Sequence, residues 1–265
     1  MTFAACSHKP HGLTLAMAGA EQRLQFVLGE PTADGWVLLA SREWTVPGQS
    51  LRFLVPGLKE TLDGFGITAQ TIDRIACVRG PGSFTGLRLL LAAAQGMSAG
   101  TGAQLAGIDY LPLLAAGPGP LLDTALHVLT YARRGLVYLQ SFDAPSLAPL
   151  SPLSSCTLAE AAQRMASLGN TAHLMGSGLR RNPDFFASLV AETPGFSLLP
   201  ARWDTPSCDQ LLDAAQTARY QTDPLEPAYV RPSDAETNLP QLARKRGLDP
   251  DEMDQRLKTL RQKQA

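Results

Sequence analysis

The run Arg79-Gly80-Pro81-Gly82-Ser83-Phe84-Thr85-Gly86-Leu87-Arg88 is the segment that most restricts what this chain can fold into. An apolar stretch, 74–78, precedes it and reads as a buried strand; the residues after it, 83–99, read as a helix. Glycines at a strand-to-helix turn allow positive φ and close backbone approach, and Ser83 or Thr85 is placed to cap the helix. Backbone N–H groups at such a start suit an anion. The run lacks the Lys-Ser/Thr of a P-loop and the spacing of a dinucleotide fingerprint. A purely structural turn and an anion-binding loop therefore both stay open.

The helix that follows carries a second signal. Gly86, Ala93, Gly96 and Gly100 recur at helical spacing, so they fall on one face, with Leu87, Leu90, Leu91, Ala94 and Met97 running alongside. Each glycine inside a helix costs about 1 kcal/mol relative to alanine. A helix that accepts several such costs gains them back where another element approaches closely. That element is either internal or a helix of another chain, and the spacing does not separate the two. The segment Gly82, Ser83, Phe84, Gly86, Leu87, Leu90, Ala93, Ala94, Gly96, Met97 and Gly100 is the candidate partner-binding set.

Two α/β units of related outline are expected from the rest of the chain. Apolar runs at 13–17 and 24–28 flank a polar turn and suit a hairpin, with 36–44 as a third strand. Leu51, Leu54, Val55, Leu58 and Leu62 recur at helical spacing. Gly117-Pro118-Gly119-Pro120 is the expected junction. A second hairpin turns at Arg133-Arg134-Gly135, Thr157 with Glu160 forms a capping box for a helix over 157–168, and 173–175 is a strand running into Gly176-Ser177-Gly178. A last helix is expected over 208–220. The first lobe is thus placed at 12–116, the second at 117–231 and a charged tail, helical in part, at 232–265.

A net charge of -1 leaves nucleic-acid contact to local features or to a partner. Cys6, Cys77, Cys156 and Cys208 lie far apart without a CxxC pair and read as isolated thiols of a reducing compartment. With no run of about 18 apolar residues, and with residues 1–12 unlike a targeting signal, the cytoplasm is the expected location. The pair His8 and His11 has no ligand set beside it, His127 and His173 sit on apolar runs, and Ser83 has no positioned base. No catalytic and no metal-binding residue is therefore assigned.

The string 79–96 closely resembles the signature of the TsaB (YeaZ) family, bacterial proteins needed for the threonylcarbamoyl modification of the adenosine beside the tRNA anticodon. Ala132-Arg133-Arg134-Gly135-Leu136-Val137-Tyr138 resembles the family's second hairpin, and Pro227-Ala228-Tyr229-Val230-Arg231 its closing motif. The resemblance implies an α/β chain with the actin/Hsp70-like ATPase (ASKHA) fold, built as two RNase H-like lobes with mixed sheets flanked by helices. It further implies a non-catalytic subunit that pairs with the paralogue TsaD through first-lobe helices, with a TsaE-like ATPase as a further partner. ATP and Mg²⁺ would be held by the partner complex, tRNA would be met only through that complex, and a homodimer would form in isolation. Alternatives are a divergent nucleotide-binding or peptidase-like enzyme, or a homodimeric relative with another partner.

The sequence departs from the family's pattern at three polar positions. Met17 stands where an Asp would open the Asp-Thr-Ser turn, Tyr131 stands where the second hairpin has Asp, and Ser177 lies where an acid is common. Carboxylates are what hold hydrated Mg²⁺ against phosphates. Gln95 also stands where the family often has Lys, which implies altered partner behaviour.

Overall fold

The computed structural model describes residues 12–33 and 35–230, with five isolated positions beyond them. The histidines of the N-terminus, Cys6, Arg231 and nearly all of the expected tail helix lie outside the described residues. The chain divides into two compact units, Met1–Ala228 and Tyr229–Ala265. Everything below concerns the first.

Its strands are β1 (Leu13–Ala18), β2 (Arg23–Thr32), β3 (Gly35–Thr45), β4 (Ile72–Gly80), β5 (Gln104–Asp109), β6 (Ala125–Arg133), β7 (Leu136–Phe142), β8 (Ser154–Thr157), β9 (Ala172–Met175) and β10 (Phe196–Leu198). The helices are α1 (Ser50–Gly64), α2 (Phe84–Thr101), α3 (Tyr110–Ala115), α4 (Leu158–Ser167), α5 (Ser177–Arg181), α6 (Pro183–Glu192) and α7 (Cys208–Thr217). Two five-stranded sheets result, ordered β3-β2-β1-β4-β5 and β10-β9-β6-β7-β8. In each, three antiparallel strands come first, the fourth then pairs with the first in parallel, and the fifth pairs with the fourth in parallel. One topology is used twice, with β6 in the place of β1 and β9 in the place of β4. Two RNase H-like lobes with mixed sheets flanked by helices make up the actin/Hsp70-like ATPase fold.

Burial explains the order of the first sheet. All six residues of β1 are buried, as a central strand covered on both faces requires. Leu13, Leu15 and Met17 face a core with Phe26 and Leu28 of β2, onto which α1 and α2 lay Leu54, Leu58, Leu62, Leu90, Leu91 and Ala94. The alternate face is small, with Thr14, Ala16, Ala18 and Gly29. It receives α7: a Cβ on Gly29 would lie 2.5 Å from the end of Leu212. The helix Cys208–Thr217, read from sequence within the second lobe, therefore packs on the first sheet. The segment after it continues there, since Gln221 and Leu105 exchange two backbone bonds of 2.8 Å.

The second sheet is covered by α4, α5 and α6, with Phe186 of α6 in the core formed over Leu129, Val137, Leu139 and Leu174. Residues Tyr110, Leu111, Leu113, Leu114 and Ala115 of α3 are buried, and this short helix touches β4, β5 and β6. A helix apolar all round is a buried one; α3 is the filling shared by both lobes. Among the described residues no helix is long and apolar enough to cross a membrane.

Candidate functional site

The glycine run forms the strand-turn-helix expected of it. Ser83 is the N-cap of α2, its hydroxyl accepting from the Gly86 N–H at 3.3 Å. The Ser83 N–H itself donates to the Ala20 carbonyl at 2.6 Å, and that of Leu87 to the Ser83 carbonyl at 2.9 Å. The N–H groups of Ser83, Gly86 and Leu87 are thus used within the chain. The glycines explain how: a Cβ on Gly82 would stand 2.2 Å from the Ala20 oxygen, and one on Gly86 3.1 Å from the Gly19 oxygen. The loop grips the turn between β1 and β2.

That gripped turn carries Glu21, which sequence reading passed over as a polar break. Its carboxylate accepts from Tyr110 Oη at 3.1 Å and from the Ser177 hydroxyl, which belongs to the second lobe. Ser177 Oγ also accepts from the Tyr131 N–H at 2.9 Å. Nearby, Asp204 accepts from the Gly176 N–H and from Arg180 Nε, both at 2.9 Å. Removal from water pushes the Glu21 carboxyl above its ordinary range, its two donors working against that and Asp204 adding to it. Burial also raises Tyr110, with the neighbouring Glu21 charge. No local signal pointed to Glu21, because its partners lie 89 and 156 residues away.

The three divergent positions meet here or nearby. Met17 is fully buried in the core, paired with Phe26 and Cys77 across its strands. The Tyr131 ring lies under the Arg181 guanidinium at 5.5 Å. Ser177 binds Glu21. Here Met17 offers no side-chain oxygen, and the Glu21 carboxylate accepts from two hydroxyls. Among the described residues no three His, Cys, Asp or Glu side chains gather as metal ligands.

A second feature lies on the opposite side of α2. Helices α1 and α2 leave a groove of about 580 Å³ between them, lined by Leu54, Val55, Leu58, Leu62, Ile67, Ala93, Gly96 and Met97, with Lys59 and Asp63 at its polar side. A Cβ on Gly96 or Gly100 would meet nothing within 4 Å. Val55 is 61% exposed. Phe84 is 41% exposed, with the Arg88 guanidinium 3.9 Å from its ring centre.

The candidate set therefore divides in three. Ala93, Gly96 and Met97 line the groove, and Gly100 is open beside them. Gly82, Ser83 and Gly86 hold the β1–β2 turn, with Phe84 exposed at the start of the helix. Leu87, Leu90 and Ala94 are 2%, 1% and 0% exposed. This corrects their placement as contact residues: they are the apolar stripe that holds α2 on its own sheet. Gln95 donates to the Leu225 carbonyl at 2.8 Å, so it anchors the returning segment within this chain.

Known proteins place this geometry. The chain is 28% identical over 201 residues to the tRNA threonylcarbamoyladenosine biosynthesis protein TsaB of Escherichia coli K12, covering 73% of this chain and 86% of that protein. A crystal structure from Pseudomonas aeruginosa, of a protein described as similar to peptidase YeaZ, superposes with a TM-score of 0.64 at 19% identity, covering 83% of this chain and all of that one. The chain is thus similar to proteins of the TsaB (YeaZ) family. A second YeaZ structure from the same organism gives a TM-score of 0.57 at 18% identity, over 82% of this chain and 99% of that one. The family model described as TsaD, tRNA N6-adenosine threonylcarbamoyltransferase, matches residues 49–145 of this chain. A protein of that description from Solidesulfovibrio magneticus is 43% identical over 83 residues, which are 31% of this chain and 21% of that relative. Both helices that form the groove fall inside the segment matched by the TsaD model.

Proposed function

We propose that this chain takes part in tRNA threonylcarbamoyladenosine biosynthesis as a non-catalytic subunit that pairs with a TsaD-type transferase through the α1–α2 groove. One observation carries the reading: the open groove at Ala93, Gly96 and Met97 lies in the part of the chain that resembles TsaD itself. Two chains that share such a pair of helices can meet in a quasi-symmetric contact, as isologous dimers do. The small face lets a partner helix approach closely, and exposed Val55 supplies apolar area at the margin. Nucleotide and Mg²⁺ belong to the partner in this reading, which is supported by Met17 in the core and by the occupied Glu21 carboxylate. A TsaE-like ATPase joins the same complex, tRNA is met only through it, and the site of action is the cytoplasm.

Gly96→Glu tests the face. Open space surrounds Gly96, and glutamate is the better helix former by about 0.5–1 kcal/mol. The variant should melt no lower than the parent, yet lose co-elution with the TsaD-type protein of its own species. Unchanged association at micromolar concentration places the contact elsewhere. Separate elution of the two parent proteins, with and without nucleotide, ends the pairing altogether. A nucleotide-dependent enzyme is the competing reading, and calorimetric titration of the isolated chain with Mg-ATP decides it: no heat of binding is expected.

A further inference from the structure

The chain crosses between its lobes twice, once after α3 and once before α7, and the two crossings touch. A Cβ on Gly117 of the first would stand 3.1 Å from the Trp203 ring of the second and 2.1 Å from Gln210 Nε2 in the first turn of α7. Adjacent crossings of this kind make a hinge, since a few residues there can absorb a rotation of one lobe against the other. Away from the crossings, a side-chain hydrogen bond from Ser177 to Glu21 also joins the lobes.

Ser177 Oγ has one hydrogen, and the Tyr131 N–H already occupies one of its lone pairs. The hydroxyl donates to Glu21. The other carboxylate oxygen takes the Tyr110 hydroxyl, on the helix that fills the space between the sheets. Both backbones are held. Gly82 and Gly86 clamp the turn before Glu21, while a Cβ on Gly176 or Gly178 would stand 2.2 or 2.9 Å from the Leu129 oxygen. Neither turn can follow the other lobe if it moves, so rotation about the crossings must break the Glu21–Ser177 bond. Charge on the site is mixed: Asp204 repels Glu21, Arg181 attracts it and Arg180 is engaged with Asp204.

We propose that Glu21 and Ser177 form an interlobe latch, which holds the two lobes in one arrangement and whose release frees them to rotate about the paired crossings. The latch does not depend on which partner fills the α1–α2 groove.

Paired spin labels on Gln70→Cys in the first lobe and Gln163→Cys in the second, with Cys6 and Cys208 replaced by serine, read it directly. The parent should give one narrow distance distribution. Ser177→Ala should broaden it at least twofold, and Ser177→Thr, which keeps the hydroxyl, should restore it. The Tyr131 amide should exchange at least tenfold faster in Ser177→Ala. Glu21→Ala should broaden the distribution in the same way; should that variant not fold, Ser177→Ala alone decides. A Ser177→Ala protein that melts cooperatively with the parent's distance distribution overturns the latch.

Discussion

The turn after β4 and the turn after β9 hold the same place in the shared topology, and they use glycine alike but serine differently. In the first, Gly82 and Gly86 press on the β1–β2 turn and Ser83 looks inward to cap an 18-residue helix. In the second, Gly176 and Gly178 press on Leu129 of β6, and Ser177 looks outward to Glu21 of the other lobe, opening a helix of five residues. Glycine at this place serves close backbone packing of the fourth strand's turn, on the turn that follows the first strand in one lobe and on the first strand itself in the other. The serine beside it is the position free to take on another task.

Substituting the glycines should break the likeness at its weakest point. Gly176 has φ of +112° as well as a backbone oxygen 2.2 Å from any added Cβ. Gly176→Ala should then cost roughly 2–6 kcal/mol, strain and overpacking together. Gly82, against the Ala20 oxygen at the same distance but without the positive φ, should cost roughly 1–3 kcal/mol. Urea unfolding of both variants orders them; a larger loss at Gly82 would mean the first turn is the more constrained.

Acid should separate the lobes next. His127 of β6 is 1% exposed, and burial lowers its pKa from 6.5 to about 4. The unfolded chain takes up the proton first as pH falls, so this stability is complete above 6.5 and is lost as pH drops towards 4. Its full size is about 3 kcal/mol. His127→Gln should remove that much of the pH dependence of unfolding, and amide exchange should show β6 loosening before β1 in the parent. Equal loosening of both sheets would place the acid sensitivity elsewhere.

Helix caps give a smaller contrast. Thr157 has a complete capping box with Glu160, whereas Ser83 accepts one bond of 3.3 Å without a reciprocal partner. Thr157→Ala should cost about 1 kcal/mol and Ser83→Ala about half of that. Smallest of all is Arg79, whose ion pair with Asp109 at 2.7 Å leaves both side chains more than 40% exposed. Arg79→Ala should change stability by about 0–1 kcal/mol, less at high salt.

Much of the first lobe was legible because its elements are long and periodic. The helix read at 83–99 is Phe84–Thr101, and the capping box at Thr157 is present. Strands of four and three residues, Ser154–Thr157 and Phe196–Leu198, are too short to show alternation and went unread. The helix Pro183–Glu192 was missed although proline at its first position is a start signal. At the site, spacing found the small face of α2 but could not tell Gly96, which faces open space, from Ala94, which is buried in the core. Glu21 escaped entirely, since a carboxylate in a hairpin turn is ordinary until distant parts of the chain close over it.

The return of α7 and the residues after it to the first sheet has a consequence during synthesis. Leu225 joins the first core, Gln221 pairs with Leu105, and Leu212 fills the space above Gly29. The lobe that leaves the ribosome first is therefore finished last, after about 120 further residues, or about 6–24 s at ordinary elongation rates. For that interval the small face of β1 and β2 and one edge of β5 are bare. A chaperone that engages nascent chains would find its substrate in the half of the molecule that, once complete, offers the groove.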